Sequence, residues 1–331
     1  MKKINYFIPL LLIVLLFLCI GKTDASNYVK IASIGVGSPA LDKSLNPQEM
    51  VDQMIIFWQN QLIQVLPDQP DLIVLPEVCD QPQGLNLDEK YEYYKVRGNQ
   101  FLNYLASVAK ENHCYIAFGI KRIDEEDNWR NSCILVNRKG EVEGIYDKNF
   151  ITFRAVEFGT KAGNKTPIFQ TDFGTVGCLI CFDLNFDELR QKYASLKPDI
   201  LLFPSMYHGG LVQSYWAYSC ESYFVGSMGT TSVPSEVRNP LGTIIATTTN
   251  HFNFAVTTVN LDYKLVHLDQ NWGKLRALKK KYGRDVSIYD PGRVGAVMIT
   301  SESDSISAND MVEEFDMELL EDYLNRSRTF R

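Results

Sequence analysis

Short apolar runs that each stop at a turn-forming or reactive side chain constrain this chain more than any other feature. Asp71 to Leu75 closes on Pro76-Glu77, Thr175 to Ile180 closes on Cys181, and Ile200 to Phe203 closes on Pro204-Ser205. A strand that is apolar at successive positions hides both of its faces, so something must cover each side. Other stretches carry apolar residues at helical spacing, such as Pro47 to Leu66 with Met50, Met54, Ile55, Trp58 and Leu62. Helices are likewise expected over Gly98–Lys110, near Asp187–Leu196 and near Val212–Ser222. Strands are expected at Tyr28–Ile34, Tyr115–Ile120, Tyr223–Ser227, Gly242–Thr249 and Ala255–Asn260. Ser132–Asn137 and Val142–Tyr146 flank Arg138-Lys139-Gly140 and read as a hairpin, followed by a loop from Asp147 to Pro167. Strands that alternate with helices but are interrupted by hairpins predict a layered α/β fold with mixed sheets.

The chain has 331 residues, 45% of them hydrophobic, which suffices for a substantial core. Its first residues are not part of that core. Lys2 and Lys3 precede an apolar run from Tyr6 to Gly21, and Ala25-Ser26 offers a small-residue cleavage site. That is the pattern of a secretory signal. The run is short for a membrane span, and an uncleaved anchor is the rival reading. We therefore expect export, with cleavage after Ala25 and no stable membrane span afterwards. A net charge of −7 argues against a general affinity for nucleic acid. Cys79, Cys114, Cys133, Cys178, Cys181 and Cys220 lie beyond the signal, and no disulfide framework is expected. Residues 26–265 contain no Pro/Gly/Ser-rich linker and read as one domain. Residues 266–331 form a charged extension, in which Asp310 to Arg328 is expected to be an acidic amphipathic helix. Such a helix could cover the core or dock on a second subunit.

Three strand ends carry chemistry. Glu77 follows a buried strand, where partial desolvation raises a carboxylate pKa and suits it to proton transfer. Lys148 follows the hairpin, and Cys181 follows the Thr175 run. In layered α/β folds, strand ends are where sites assemble. Each residue alone has a plainer reading: a solvated carboxylate, a surface lysine, a buried structural thiol. Together they form a complete set. The glutamate takes the thiol proton, the sulfur attacks an electrophilic carbon, and the ammonium and turn N–H groups stabilise the oxyanion. The glutamate then activates water for deacylation.

Leu75-Pro76-Glu77, Lys148 and Gly174-Thr175-Val176-Gly177 before Cys181-Phe182-Asp183 resemble the motifs of the nitrilase superfamily of carbon–nitrogen hydrolases. So do Phe186-Asp187-Glu188, Phe203-Pro204-Ser205 and Asn239-Pro240-Leu241-Gly242, and the resemblance covers residues 28–265. It implies a four-layer α-β-β-α sandwich with two mixed sheets and a Glu77–Lys148–Cys181 triad. It also implies a supporting role for Glu157, which otherwise is a loop carboxylate, and an oxyanion donor at the Phe182 N–H. No cofactor or metal is implied. Family members commonly dimerise, so a homodimer or higher homo-oligomer is expected. The chain departs from the common Cys-Tyr-Asp-x-Arg-Phe-Pro-Glu at Phe182, Asn185 and Asp187. Cys181-Phe182-Asp183 looks more like amidase-type branches than the nitrile-hydrolysing branch, which usually has Cys-Trp-Glu.

Other motifs carry less. Cys178 and Cys181 form a C-x-x-C, but positions three apart on a strand face opposite sides. Scattered histidines without a second cysteine pair argue against zinc. Tyr207 and His208 follow the strand ending at Ser205, where they either contact substrate or cap the next helix. The sequence therefore predicts an enzyme cleaving a non-peptide amide or carbamoyl C–N bond of a small molecule through a Cys181 thioester. Acyl transfer, nitrile hydrolysis and a non-catalytic binding protein are the alternatives.

Overall fold

The computed structural model describes residues 26–331. The signal expected in residues 1–25 lies outside the described residues. The chain opens with β1 (Tyr28–Ile34), α1 (Pro47–Leu62), β2 (Leu72–Val74), α2 (Leu87–Arg97) and α3 (Gln100–Glu111). The hairpin strands β3 (Tyr115–Ile123), β4 (Trp129–Val136) and β5 (Val142–Asp147) follow, then the short α4 (Phe153–Glu157). A second sheet is built from β6 (Phe169–Gln170), β7 (Thr175–Cys178), β8 (Ile200–Ser205), β9 (Tyr223–Met228), β10 (Glu236–Arg238) and β11 (Ile244–Thr247). Helices α5 (Asp187–Leu196) and α6 (Leu211–Cys220) connect its parallel strands. Strand β12 (Phe254–Asn260) returns to pair antiparallel with β1, completing a six-stranded first sheet.

Period-2 alternation explains the layers. On β3, Tyr115 and Ala117 face the second sheet, whereas Ile116 and Phe118 face Met54, Trp58 and Leu105 of α1 and α3. On β8, Ile200 and Leu202 face the first sheet, whereas Leu201 and Phe203 pack with Trp216 and Tyr193 of α6 and α5. Both faces of these strands are covered, which is why their sequences are continuously apolar. The result is an α-β-β-α sandwich with two mixed sheets. Two buried serines tie the sheets together: Ser33 Oγ donates to Gly226 O at 2.8 Å, and Ser227 Oγ donates to Ile34 O at 2.7 Å.

A smaller lobe follows, containing β13 (Tyr263–His267), α7 (Trp272–Tyr282), β14 (Val286–Tyr289), β15 (Ala296–Ser301), α8 (Ala308–Glu314) and α9 (Leu320–Arg328). Its three-stranded sheet packs against Leu241 and Tyr218 of the sandwich. The boundary placed after residue 265 falls inside β13. The single helix expected over Asp310–Arg328 is two helices, broken where Asp316 takes a left-handed φ of 47°. The expected helix over Gly98–Lys110 is α3, and the preceding α2 covers residues for which no element is expected. The six cysteines of the described residues are free thiols. No helix among these residues is long and apolar enough to cross a membrane.

Candidate active site

The hydrogen-bond ladder brings the three strand ends together. β2 runs parallel to β3, and β5 also runs parallel to β3 because two antiparallel pairings separate them. Glu77 and Lys148 therefore emerge at the same end of the first sheet. Cys181 emerges from the end of β7 on the facing sheet. All three line one cavity of about 620 Å³.

Glu77 and Lys148 are almost fully buried, at 5% and 4% exposure, and their side chains form an ion pair of 2.8 Å. Asn131 of β4 contributes twice. Its Nδ2 donates to Glu77 Oε1 at 2.7 Å, and its carbonyl accepts the Lys148 N–H at 2.8 Å. Burial pushes the Glu77 carboxyl up, but the Lys148 ammonium and the Asn131 amide outweigh it and hold the group below its ordinary range. This corrects the expectation that desolvation raises it. Glu77 rests as a carboxylate, ready to accept a proton. Burial pushes Lys148 down, and the charges of Glu77 and Cys181 bring it back above its ordinary value. Burial and the neighbouring Glu77 push the Cys181 thiol up to about 11. The resting pair is therefore thiol and carboxylate, so proton transfer must accompany sulfur attack.

Backbone geometry at both turns is strained. Cys181 has a φ of 48° and Val78, next to Glu77, a φ of 49°. Left-handed conformations cost a non-glycine residue about 1–3 kcal/mol and persist only where the surroundings enforce them. At the Glu77 turn, Gly119 of β3 approaches so closely that a Cβ there would lie 2.6 Å from Glu77 Cα. Trp58 Nε1 donates to Cys79 O at 2.6 Å, Tyr93 Oη donates to Asp80 O at 2.5 Å, and Arg97 pairs with Asp80. At the Cys181 turn, buried Asp183 accepts the Ile180 N–H at 2.9 Å, the Phe150 N–H at 2.7 Å and the Tyr146 hydroxyl at 2.7 Å. One carboxylate thus joins the nucleophile's turn to the segment just after Lys148.

Phe182 is the second residue of the single-turn segment Cys181–Asn185, where the first N–H groups have no intrahelical acceptor. Glu157 ends α4 and lines the cavity, but it is exposed and makes no ion pair with Lys148 among the described residues. Tyr207 and His208 do not line the cavity. The Tyr207 hydroxyl accepts from Asn185 Nδ2 at 3.0 Å. His208 Nε2 lies 2.9 Å from Glu236 Oε2, and its Nδ1 accepts the Gly210 N–H ahead of α6. No side chain among the described residues caps the first turn of α6, so the His208 bond to Gly210 is a turn contact ahead of that helix. Three site residues were not singled out from the sequence: Asn131, Asp183 and Lys121. Lys121 follows the apolar run of β3, the same strand-end placement that drew attention to Glu77. Among the described residues, no group of three or more His, Cys, Asp or Glu side chains could hold a metal ion.

The carbon–nitrogen hydrolase family profile matches residues 30–230, more than half of the chain. The chain belongs to that family. It is 25% identical to "Nitrilase homolog 2" of Dictyostelium discoideum over 58% of this chain and 65% of that protein. It is 24% identical to "Omega-amidase NIT2" of Homo sapiens, over 63% of this chain and 80% of the relative. The alignments span less than two thirds of the Dictyostelium protein and 36% of a "Probable nitrilase" from Schizosaccharomyces pombe. An amidase from Nesterenkonia sp. shares the fold with a TM-score of 0.60 at 15% identity, covering 76% of this chain and 97% of that one. Saccharomyces cerevisiae Nit3 does so with a TM-score of 0.59 at 18% identity, covering 81% and 97%.

Proposed function

We propose that this carbon–nitrogen hydrolase family member cleaves a non-peptide amide or carbamoyl bond through a thioester on Cys181. The observation that carries the reading is the convergence of the Glu77–Lys148 ion pair and Cys181 on one cavity. Glu77 accepts the thiol proton as Sγ bonds to the amide carbon. Lys148 and the Phe182 N–H stabilise the oxyanion, and the tetrahedral adduct collapses as protonated Glu77 returns the proton to the departing amine. Glu77 then takes a proton from water, the hydroxide attacks the thioester, and the acid leaves with Cys181 restored as a thiol. The position of Glu157 in the cavity lining supports a substrate-contacting role for it.

A panel of amides, N-carbamoyl compounds and nitriles tests the subclass: release of ammonia or amine from the first two supports it, and turnover of nitriles alone overturns it. Added amine acceptors separate hydrolysis from acyl transfer by the product formed. We also propose that residues 1–25 direct export and that the protein works as a homo-oligomer. Amino-terminal sequencing of expressed protein and sedimentation of the purified chain check these two points. A mature start at Ser26 and a mass of two or more chains are the expected results.

A further inference from the structure

The same cavity holds a lysine the triad does not use. Lys121 lies directly opposite Asn131 in the β3–β4 register, and opposed residues share a face. It thus stands beside the amide that holds Glu77. Its side chain lines the cavity, and the residue is only 9% exposed. Of its three N–H donors, one reaches Thr160 Oγ1 at 2.8 Å, and the ammonium lies 5.2 Å from the centre of the Phe158 ring. No carboxylate among the described residues lies within ion-pair distance of it; the nearby Glu77 is engaged by Lys148 and Asn131. A buried ammonium with unused donors is costly unless something pairs with it. Burial pushes Lys121 down to about 8; the charge of Glu77 offsets part of this, while those of Lys148 and Lys90 add to it.

The rest of the cavity has the same sign. Its charged lining is Glu77, Lys90, Lys121, Lys148, Arg154 and Glu157, a surplus of two positive charges in a chain whose net charge is −7. Lys90 and Arg154 form no ion pair among the described residues, and burial together with the Arg154 charge disfavours the charge on Lys90. Like charges gathered at a cleft are offset when a ligand of opposite sign enters. We propose that the substrate is an amide bearing a carboxylate, which Lys121 receives inside the cavity while Lys90 and Arg154 attract it at the rim. This deepens the amide-hydrolase reading and rests on it for the scissile bond. Lys121 is thereby a specificity-determining residue for the reaction.

Binding to the full-length Cys181→Ala protein tests this without requiring turnover. Calorimetry would compare succinamate, with the carboxylate on the acyl side, and N-propionylglycine, with it on the amine side, against neutral butyramide. At least one charged amide is expected to bind about tenfold or more tightly than butyramide, as charge-assisted hydrogen bonds provide. Lys121→Met should reduce that advantage to about threefold or less. Lys90→Gln, at the rim, provides a second readout should the buried substitution prevent folding, with a loss of about threefold. Charged amides binding no better than butyramide, or a preference that survives in whichever of these variants folds, would overturn the proposal. The wild-type protein is assayed with the same amides: a Lys121-dependent preference without turnover upholds the carboxylate site and counts against the hydrolase reading alone.

Discussion

The turn that carries Glu77 and the turn that carries Cys181 meet in one cavity but are held by different means. Around Glu77, anchoring is spread over several elements: Trp58 of α1, Tyr93 and Arg97 of α2, and Gly119 of β3 all fix residues 77–80. Around Cys181, one buried carboxylate gathers the bonds. Asp183 accepts from the backbone of Ile180 and Phe150 and from Tyr146. A distributed support tolerates the loss of any one hydrogen bond but not a steric intrusion. A concentrated support fails with its single residue and inherits that residue's titration. Both turns keep a non-glycine residue in the left-handed region, so each support holds strain as well as position.

The largest effect expected at the Glu77 turn comes from the carboxylate itself. Glu77→Gln should lower amide turnover by about 10³-fold or more, since it removes the proton acceptor. The same change should speed alkylation of Cys181 by iodoacetamide at neutral pH. Glu77 pushes the thiol up, and without its charge Lys148 stands alone beside the sulfur. Parallel loss of turnover and alkylation would break the assignment of Glu77 as base. Gly119→Ala comes next, with a loss in kcat/KM of about 10²-fold. The new methyl would force Glu77 away, and displacements of about 1 Å have that effect on a positioned group.

Asp183→Asn tests the concentrated support. An amide cannot accept from all three donors, and an orphaned buried donor costs about 1–3 kcal/mol. Activity should fall by about tenfold or more, through displacement of the nucleophile's turn. The stability cost should depend on pH. Burial raises the Asp183 carboxyl to about 6. A raised folded-state pKa means the group's stability contribution is fully present below its unfolded value, near 3.8, and is lost as pH rises through about 6. Denaturant unfolding should therefore show the wild-type advantage over Asp183→Asn to be about 1 kcal/mol larger at pH 5 than at pH 7. An advantage that does not change with pH would break the account of Asp183. The smallest effect is Trp58→Phe, which removes the bond to Cys79 O. It should cost about 1 kcal/mol of stability and change kcat less than about threefold. A loss as large as that from Asp183→Asn would erase the contrast between the two supports.

The sandwich was legible because its strands are apolar on both faces, and their ends mark where polar chemistry begins. β1 and α5 have the bounds their periodicity predicts. Helix α2 was not legible. Its buried residues are Tyr93, Tyr94 and Arg97 in an otherwise charged stretch, so no apolar stripe stands out. Yet it anchors residues 80–81 and supplies Lys90. The residues of the triad could be named because each follows a strand. Asn131 could not, since it lies inside β4 and becomes part of the site only through its bonds to Glu77 and Lys148. The ionisation of Glu77 lacks a local sequence signal for a related reason. Its burial can be inferred locally, whereas Lys148 and Asn131 come from strands more than fifty residues away.

The claim on which everything rests is that Cys181 bonds to the acyl carbon of an amide. The most direct measurement is intact and peptide mass spectrometry of protein quenched during turnover of an amide substrate. The account predicts an added mass equal to the acyl group on the peptide containing Cys181, released by hydroxylamine as the hydroxamate. Cys181→Ala should show neither adduct nor turnover, a loss of about 10⁴-fold or more. Turnover that persists in Cys181→Ala, or an acyl group found on another residue, would contradict it.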